Sequence, residues 1–359
     1  MNRHMTGQGT TTDRTGQDRS GRTCCRRHGG RTWLRAKAWG AAILLAAVTV
    51  LDLFAGDIRL SPADIFSALS GDGSSEAARI LVLVRLPRVL TALTAGAALA
   101  LSGAQMQSIF RNRLADPHIM GVSAGAGLGA AVAALALPAA MSPAFTGLSM
   151  AAAASAGALA SAALILAVSF RMKRSSSLLI CGVMAGFIIS AIISILQFGA
   201  GAEELKMFYS WSAGNFTGTG MGGVTIMAVA LLAGTAIAAA NAKGLDIMLF
   251  GDEFALLSGA RPRQTRTAAL FSASLMTGAV TAFCGPIGFV GIVAPHMARR
   301  LSGTARHAAV LPMSMATGGL FGVTADLLCQ AGSLPVPAGS MMALTGIPFV
   351  LAMIISGKD

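Results

Sequence analysis

The chain has 359 residues, 54% of them hydrophobic and only 12% charged, with a formal net charge of +12 and a pI near 10.7. A soluble domain of this composition would carry large exposed apolar patches, so the composition excludes one and makes lipid the solvent. The basic balance could serve nucleic acid, but the placement of the charges assigns it to topology instead.

A bilayer core takes roughly 17–25 apolar residues per helix. Segments of that kind run near 38–54, 89–110, 119–137, 147–169, 178–199, 221–241, 267–283, 286–301, 308–329 and 339–356. The eighth is short and interrupted by Pro286 and Pro295. The expected fold class is therefore an all-α polytopic membrane protein of about ten transmembrane helices, with the membrane domain over 38–359.

Residues 1–37 hold nine Lys and Arg against Asp13 and Asp18 and are rich in Gly, Thr and Ser, which predicts a disordered basic tail beside anionic headgroups. The apolar stretch from Ala38 is membrane-length, with no cleavage site evident after it, and is expected to anchor rather than to be removed. With the tail in the cytoplasm, 22 of the 27 Lys and Arg fall on inside segments, leaving those at +15 and the outside at −3. Both termini are then cytoplasmic. No nucleic acid partner is implied.

Between the sixth and seventh segments lies a polar, basic, helix-breaking stretch, 245–266, which reads as a docking surface for a soluble partner. Elsewhere the spans are rich in Gly and Ala, as over 94–103 and 121–129, where small residues let helix backbones approach in lipid. Gly125, Gly127 and Gly129 serve that packing and no nucleotide loop, since no strand precedes them and no Lys follows. Of the five cysteines, Cys24 and Cys25 face the reducing cytoplasm, while Cys181, Cys284 and Cys329 lie in or at the ends of spans as small apolar residues.

The spans lack ionisable groups at mid-depth: Asp52 and Asp326 fall near outer ends, and Gln105, Gln107 and Gln197 are neutral. An ion-driven carrier would need a carboxylate pair there, and an intramembrane enzyme a catalytic constellation for which His296 with Asp326 is a thin candidate. Energy is expected to come from another subunit. No catalytic residue, cofactor or metal site is expected.

Five blocks carry a resemblance: Arg85-Leu-Pro-Arg88-Val-Leu90 running into 96–104; 111–117 followed by Gly121-Val-Ser123; 251–259; 285–299; and 334–339 with 345–349. In this order they resemble the FecCD family of permeases for ferric siderophores, haem and cobalamin, the membrane subunits of type II ATP-binding cassette importers. The resemblance implies a homodimer or a pair with a paralogue, two cytoplasmic ATPase subunits and an extracytoplasmic binding protein, in a bacterial inner membrane. It implies a ferric siderophore as cargo, with haem and cobalamin as alternatives. It makes 245–266 the coupling helices, with Gly251, Asp252, Glu253, Gly259 and Arg263 as their marks, and it assigns Arg85 and Arg88 to docking acidic groups of the binding protein. Asn112, Leu114, Ser175 and Ser176 match the cytoplasmic gate. Arg113, Leu256 and Gln330 depart from the usual residues, which are Pro, Arg and Arg. Met106, Met297, Met341 and Met342 either line the pathway or fill the core.

Overall fold

A computed structural model describes residues 26–56, 76–136, 143–172, 175–331 and 336–356; Cys24, Cys25, Lys173, Arg174, Leu334 and Lys358 lie outside them. All regular structure among these residues is helical, as lipid requires when every backbone N–H and C=O must be satisfied within its own segment. In chain order the helices are α1 Arg26–Phe54, α2 Glu76–Ile80, a π turn Leu81–Arg85, α3 Leu86–Phe110, a 3-10 turn Pro117–Met120, α4 Val122–Ala131 and a second π turn, Val132–Ala136. There follow α5 Pro143–Arg171, α6 Ser175–Phe198, α7 Ala202–Ser212, α8 Met221–Ala240, α9 Ala242–Met248 and α10 Asp252–Leu257. The last four are α11 Pro262–Cys284, α12 Val290–Ser302, α13 His307–Gln330 and α14 Ala338–Ser356.

Six helical stretches among the described residues are long and apolar enough to cross a membrane: Ala78–Phe110, Met150–Arg171, Ser176–Phe198, Met221–Ala240, Pro262–Cys284 and His307–Gln330. Shorter apolar helices occupy Trp39–Phe54, Val122–Leu135 and Ala338–Ala352, and α12 is shorter still with Pro295 inside it. Each of the ten expected segments thus coincides with a helix.

The boundaries differ in two places. The second stretch begins at Ala78, eleven residues before the expected 89, because a π turn carries the helix past Pro87. Proline cannot donate to the carbonyl four residues back, and the chain widens there, with the Leu86 N–H donating to Leu81 O. The second concerns the tail expected to be disordered to residue 37: it is helical from Arg26, where Arg, Ala and Lys are strong helix formers. The helix α7 was not anticipated, since Glu203, Glu204 and Lys206 break its apolar run.

α3 and α11 form the spine, and both contribute to two contiguous cores. One core gathers Leu99, Leu101, Met276, Val290 and Val323; the other gathers Met106, Ile109, Met120, Ala154 and Ala269. Close approach of small residues holds the helices together, as the glycine-rich spans predicted. A Cβ on Gly96 would collide with the Gly318 carbonyl, and one on Gly103 with Gly291. Gly125 and Gly129 lie equally close to Gly157 and Ala153 of α5. Where apolar surface gains nothing by leaving lipid, this dispersion contact and the buried hydrogen bonds supply the cohesion. α6 is the least buried of the six, packing mainly on α4 and the 3-10 turn.

Candidate coupling surface, gate and outer cluster

The expected coupling segment is two short helices joined at Gly251. Its backbone, φ 107° and ψ 162°, lies in a region that side chains avoid, and a Cβ there would meet Arg111 Nη1 at 2.9 Å. Gly259, at φ 74°, ends α10 in open space, and Pro262 then starts α11. Leu245 and Met248 bury α9 in the core, whereas α10 presents Phe254, Leu256 and Leu257 outward beside Phe250. Leu257 is 89% exposed and Phe250 72%, their neighbourhood an apolar knob, with the Phe250 and Phe254 rings 5.2 Å apart.

Two of the charged residues expected to mark this surface are held by the chain itself. Asp252 Oδ2 pairs with the Arg266 guanidinium at 2.7 Å, and Arg266 is buried. Arg263 donates to the Phe170 carbonyl at 2.7 Å, its guanidinium 5.5 Å from that residue's ring centre. The Arg263 contact, with Arg266 Nη1 3.5 Å from the Met172 carbonyl, seats the segment on the end of α5 and leaves a cleft of about 600 Å³ lined by Phe170, Arg171, Asp252, Leu256, Arg261 and Arg263 among others. Glu253 is exposed.

The residues expected to form the gate occupy the same end. α3 stops at Arg111, which takes a left-handed conformation at φ 49°, and the Asn112 side chain then accepts from the Leu114 N–H at 2.9 Å. That Asx turn gives the loop rigidity that the absent proline at Arg113 does not provide. Asn112, Leu114 and Ser176 are exposed, and Ser175 and Ser176 begin α6. The coupling segment touches both neighbourhoods, through Gly251 near Arg111 and Arg263 on Phe170.

At the opposite end Arg88 grips Asp326 through Nε, 2.9 Å from each carboxylate oxygen, and through Nη2 at 2.9 Å. The Gln330 amide donates to Asp326 at 3.1 Å and to Asp52 at 2.9 Å, and both carboxylates are 1% exposed. Arg85, 7% exposed, donates to the Leu53 carbonyl at 2.8 Å. The cluster ties α1, α3 and α13 together. Arg88 thus has a counter-charge within the chain, Asp326, and keeps part of its guanidinium exposed. The sequence placed Asp52 and Asp326 at outer ends but gave no sign of which arginine would meet them.

Met106 and Met342 are core filler, and Met150 and Met207 instead line an outer cavity of about 470 Å³ with Lys206, Trp211, Asn215 and Cys284.

Six apolar helices of membrane-crossing length and three shorter ones among the described residues, a glycine-jointed amphipathic excursion at one end and a buried ionic clasp at the other describe a polytopic membrane subunit. Residues 44–356 match the FecCD transport family, and the chain belongs to it. The cobalamin import system permease protein BtuC of Halobacterium salinarum is 36% identical over 283 residues, 79% of this chain and 75% of the relative. The Fe(3+)-citrate import system permease protein YfmE of Bacillus subtilis is 32% identical, covering 87% and 92% of the two chains. The hemin transport system permease protein HmuU of Yersinia pestis is 30% identical, covering 92% and 98%. In three dimensions the chain is similar to a protein assigned as a metal-chelate type ABC transporter, in an inward-facing conformation, with TM-score 0.77 and 26% identity over 89% of this chain and 98% of the other. The chain is a multi-pass protein of the inner membrane and a permease subunit of a type II ABC importer, a class that works with an ATPase and a binding protein.

Proposed function

We propose that the chain moves a ferric siderophore from an external binding protein into the cytoplasm, as one half of a homodimer or of a pair with a paralogue, above two ATPase subunits. The observation that carries the coupling part of this reading is the knob of Phe250, Phe254, Leu256 and Leu257, projecting from a segment that the Asp252 to Arg266 pair and the Arg263 bond hold in place. Apolar side chains this exposed, beyond the ends of membrane-length helices, are matched to a hydrophobic groove on a soluble partner. Glu253 then faces the groove's rim, and Gly251 and Gly259 set the angle of the knob. ATP-driven closure of the partner moves the segment as a unit.

In this reading ten helices cross the membrane with both termini inside, and the uncovered apolar face of α6 lies against a second copy and lipid. The Asn112–Leu114 turn and Ser175–Ser176 close the pathway at the cytoplasmic end. Arg88, its side chain 22% exposed, offers its free edge to acidic groups of the binding protein beside Arg85. The chain carries no nucleotide site of its own.

Cobalamin is the second reading of the cargo, favoured by the 36% identity to a cobalamin import permease, and haem the third. Proteoliposomes holding this chain, its ATPase subunit and its binding protein, given labelled ferric siderophore, haem and cobalamin in parallel, decide among them. Uptake of ferric siderophore alone, dependent on internal ATP, supports the proposal. Uptake by liposomes containing the chain alone overturns the ATP-driven reading.

A further inference from the structure

Helix α9 carries Asp246, whose Oδ1 accepts two hydrogen bonds from His307: the backbone N–H at 2.8 Å and the ring Nδ1–H at 2.7 Å. The other ring nitrogen, Nε2, lies 2.6 Å from Ser108 Oγ, in the last turn of α3. Asp246 is half-buried at the surface, His307 is 1% exposed and Ser108 0%. Three side chains thus run from the coupling segment through the first residue of α13 to the interior of α3.

The arrangement resembles the serine, histidine and carboxylate row of hydrolases, but its location argues against chemistry. Ser108 is out of reach of any solute, and neither Ser108 nor His307 lines the 470 or the 600 Å³ cavity. What the row does is mechanical. Asp246 places a carboxylate at the N-terminus of α13, where it satisfies an otherwise open N–H and complements the helix dipole. The same oxygen fixes the imidazole, and the imidazole fixes the last turn of α3. Buried hydrogen bonds in low dielectric are short, directional and costly to break one at a time, so displacement at one end is passed on rather than absorbed. α9 also packs against both α3 and α13, and its Leu245 and Met248 leave it little freedom to move without them.

We propose that Asp246, His307 and Ser108 are positioning residues that carry movement of the coupling segment to the inner end of α3 and hence to the Asn112–Leu114 turn. The proposal rests on the importer reading and adds the route from the ATPase contact to the gate. Coupling of this kind is a free energy shared between two sites, and cutting the route lowers the response at one site without abolishing the event at the other.

The test uses the complex of this chain with its ATPase subunits in lipid nanodiscs, comparing amide hydrogen exchange without nucleotide and after trapping with MgATP and vanadate. In the unmodified complex both 242–257 and 104–114 are expected to change on trapping. In Ser108→Ala, which removes one hydroxyl, 242–257 still responds while the response at 104–114 falls by at least about five-fold, the low end of ordinary coupling. Asp246→Ala gives the same loss, and Asp246→Asn, which retains an oxygen acceptor, restores most of it. A purely structural role would alter both segments before nucleotide is added. A full response at 104–114 in both Ser108→Ala and Asp246→Ala overturns the relay. No response at 242–257 in the unmodified complex overturns the coupling reading itself, a different failure.

Discussion

Arg88 and Asp326, 238 residues apart, form a bidentate ion pair at one end of the helix bundle, with three nitrogen to oxygen separations of 2.9 Å. The two ends of the pair are not equivalent. Asp326 is buried, whereas Arg88 keeps part of its guanidinium exposed.

Removing the arginine strands a carboxylate in a low-dielectric site, while removing the acid leaves a cation that can reach water or headgroups. Arg88→Ala is therefore expected to cost about 3 kcal/mol and Asp326→Asn clearly less. Thermal unfolding in detergent, with the two variants side by side, checks the order. Equal losses would show that the buried acid is not the vulnerable partner.

Gln330 stands between two carboxylates and supplies one amide to both, while Asp52 Oδ2 has no hydrogen-bond donor among the described residues. Gln330→Arg brings more donors and a compensating charge, and is expected to raise stability by about 1 kcal/mol. A lower melting temperature in this variant would mean that the site has no room for the larger side chain.

Asp252 and Glu253 are adjacent but differ in what they face. Asp252→Lys sets a cation against buried Arg266 and is expected to lower the stability of the permease by about 3 kcal/mol. Glu253→Lys, on the exposed side, is expected to leave the fold intact and weaken ATPase binding. Size-exclusion profiles together with ATPase pull-down separate the two effects. Indistinguishable behaviour would remove the distinction.

Substituting Leu257 with Ala is expected to weaken ATPase binding by about 1–3 kcal/mol, the value of burying an aliphatic side chain of this size at an interface. Affinity measured between nanodisc-embedded permease and purified ATPase reads this directly. An unchanged affinity places the apolar knob outside the contact.

Gly251→Ala meets both an unfavourable φ and the Arg111 guanidinium, whereas Gly259→Ala meets only the φ, with open space around it. The first is expected to cost about 2–3 kcal/mol and to misdirect α10, the second about 1 kcal/mol. Melting temperatures and ATPase-binding affinities of the two single variants rank them. A larger loss in Gly259→Ala would put the joint at the wrong glycine.

Much of the architecture was legible in the chain alone. Lipid allows few backbone solutions, so apolar length fixed where helices lie, and the skew of Lys and Arg fixed the expected sidedness. The glycines of 94–103 and 121–129 announced close helix contacts because only small residues permit them. The break into short helices over 245–266 was visible as a polar interruption with Gly251 and Gly259 at its joints.

What the sequence could not supply is pairing across distance. Nothing local says that Arg88 meets Asp326, that Asp252 turns inward to Arg266 while Glu253 turns out, or that Asp246 and Ser108 share one histidine. A helix spreads its residues around a full turn every 3.6 positions, so a shift of one residue changes which neighbour a side chain meets. Hydropathy determined which segments are apolar enough to enter a membrane. The rotation of each helix about its axis, decided only when all of them pack, determined which polar groups face one another.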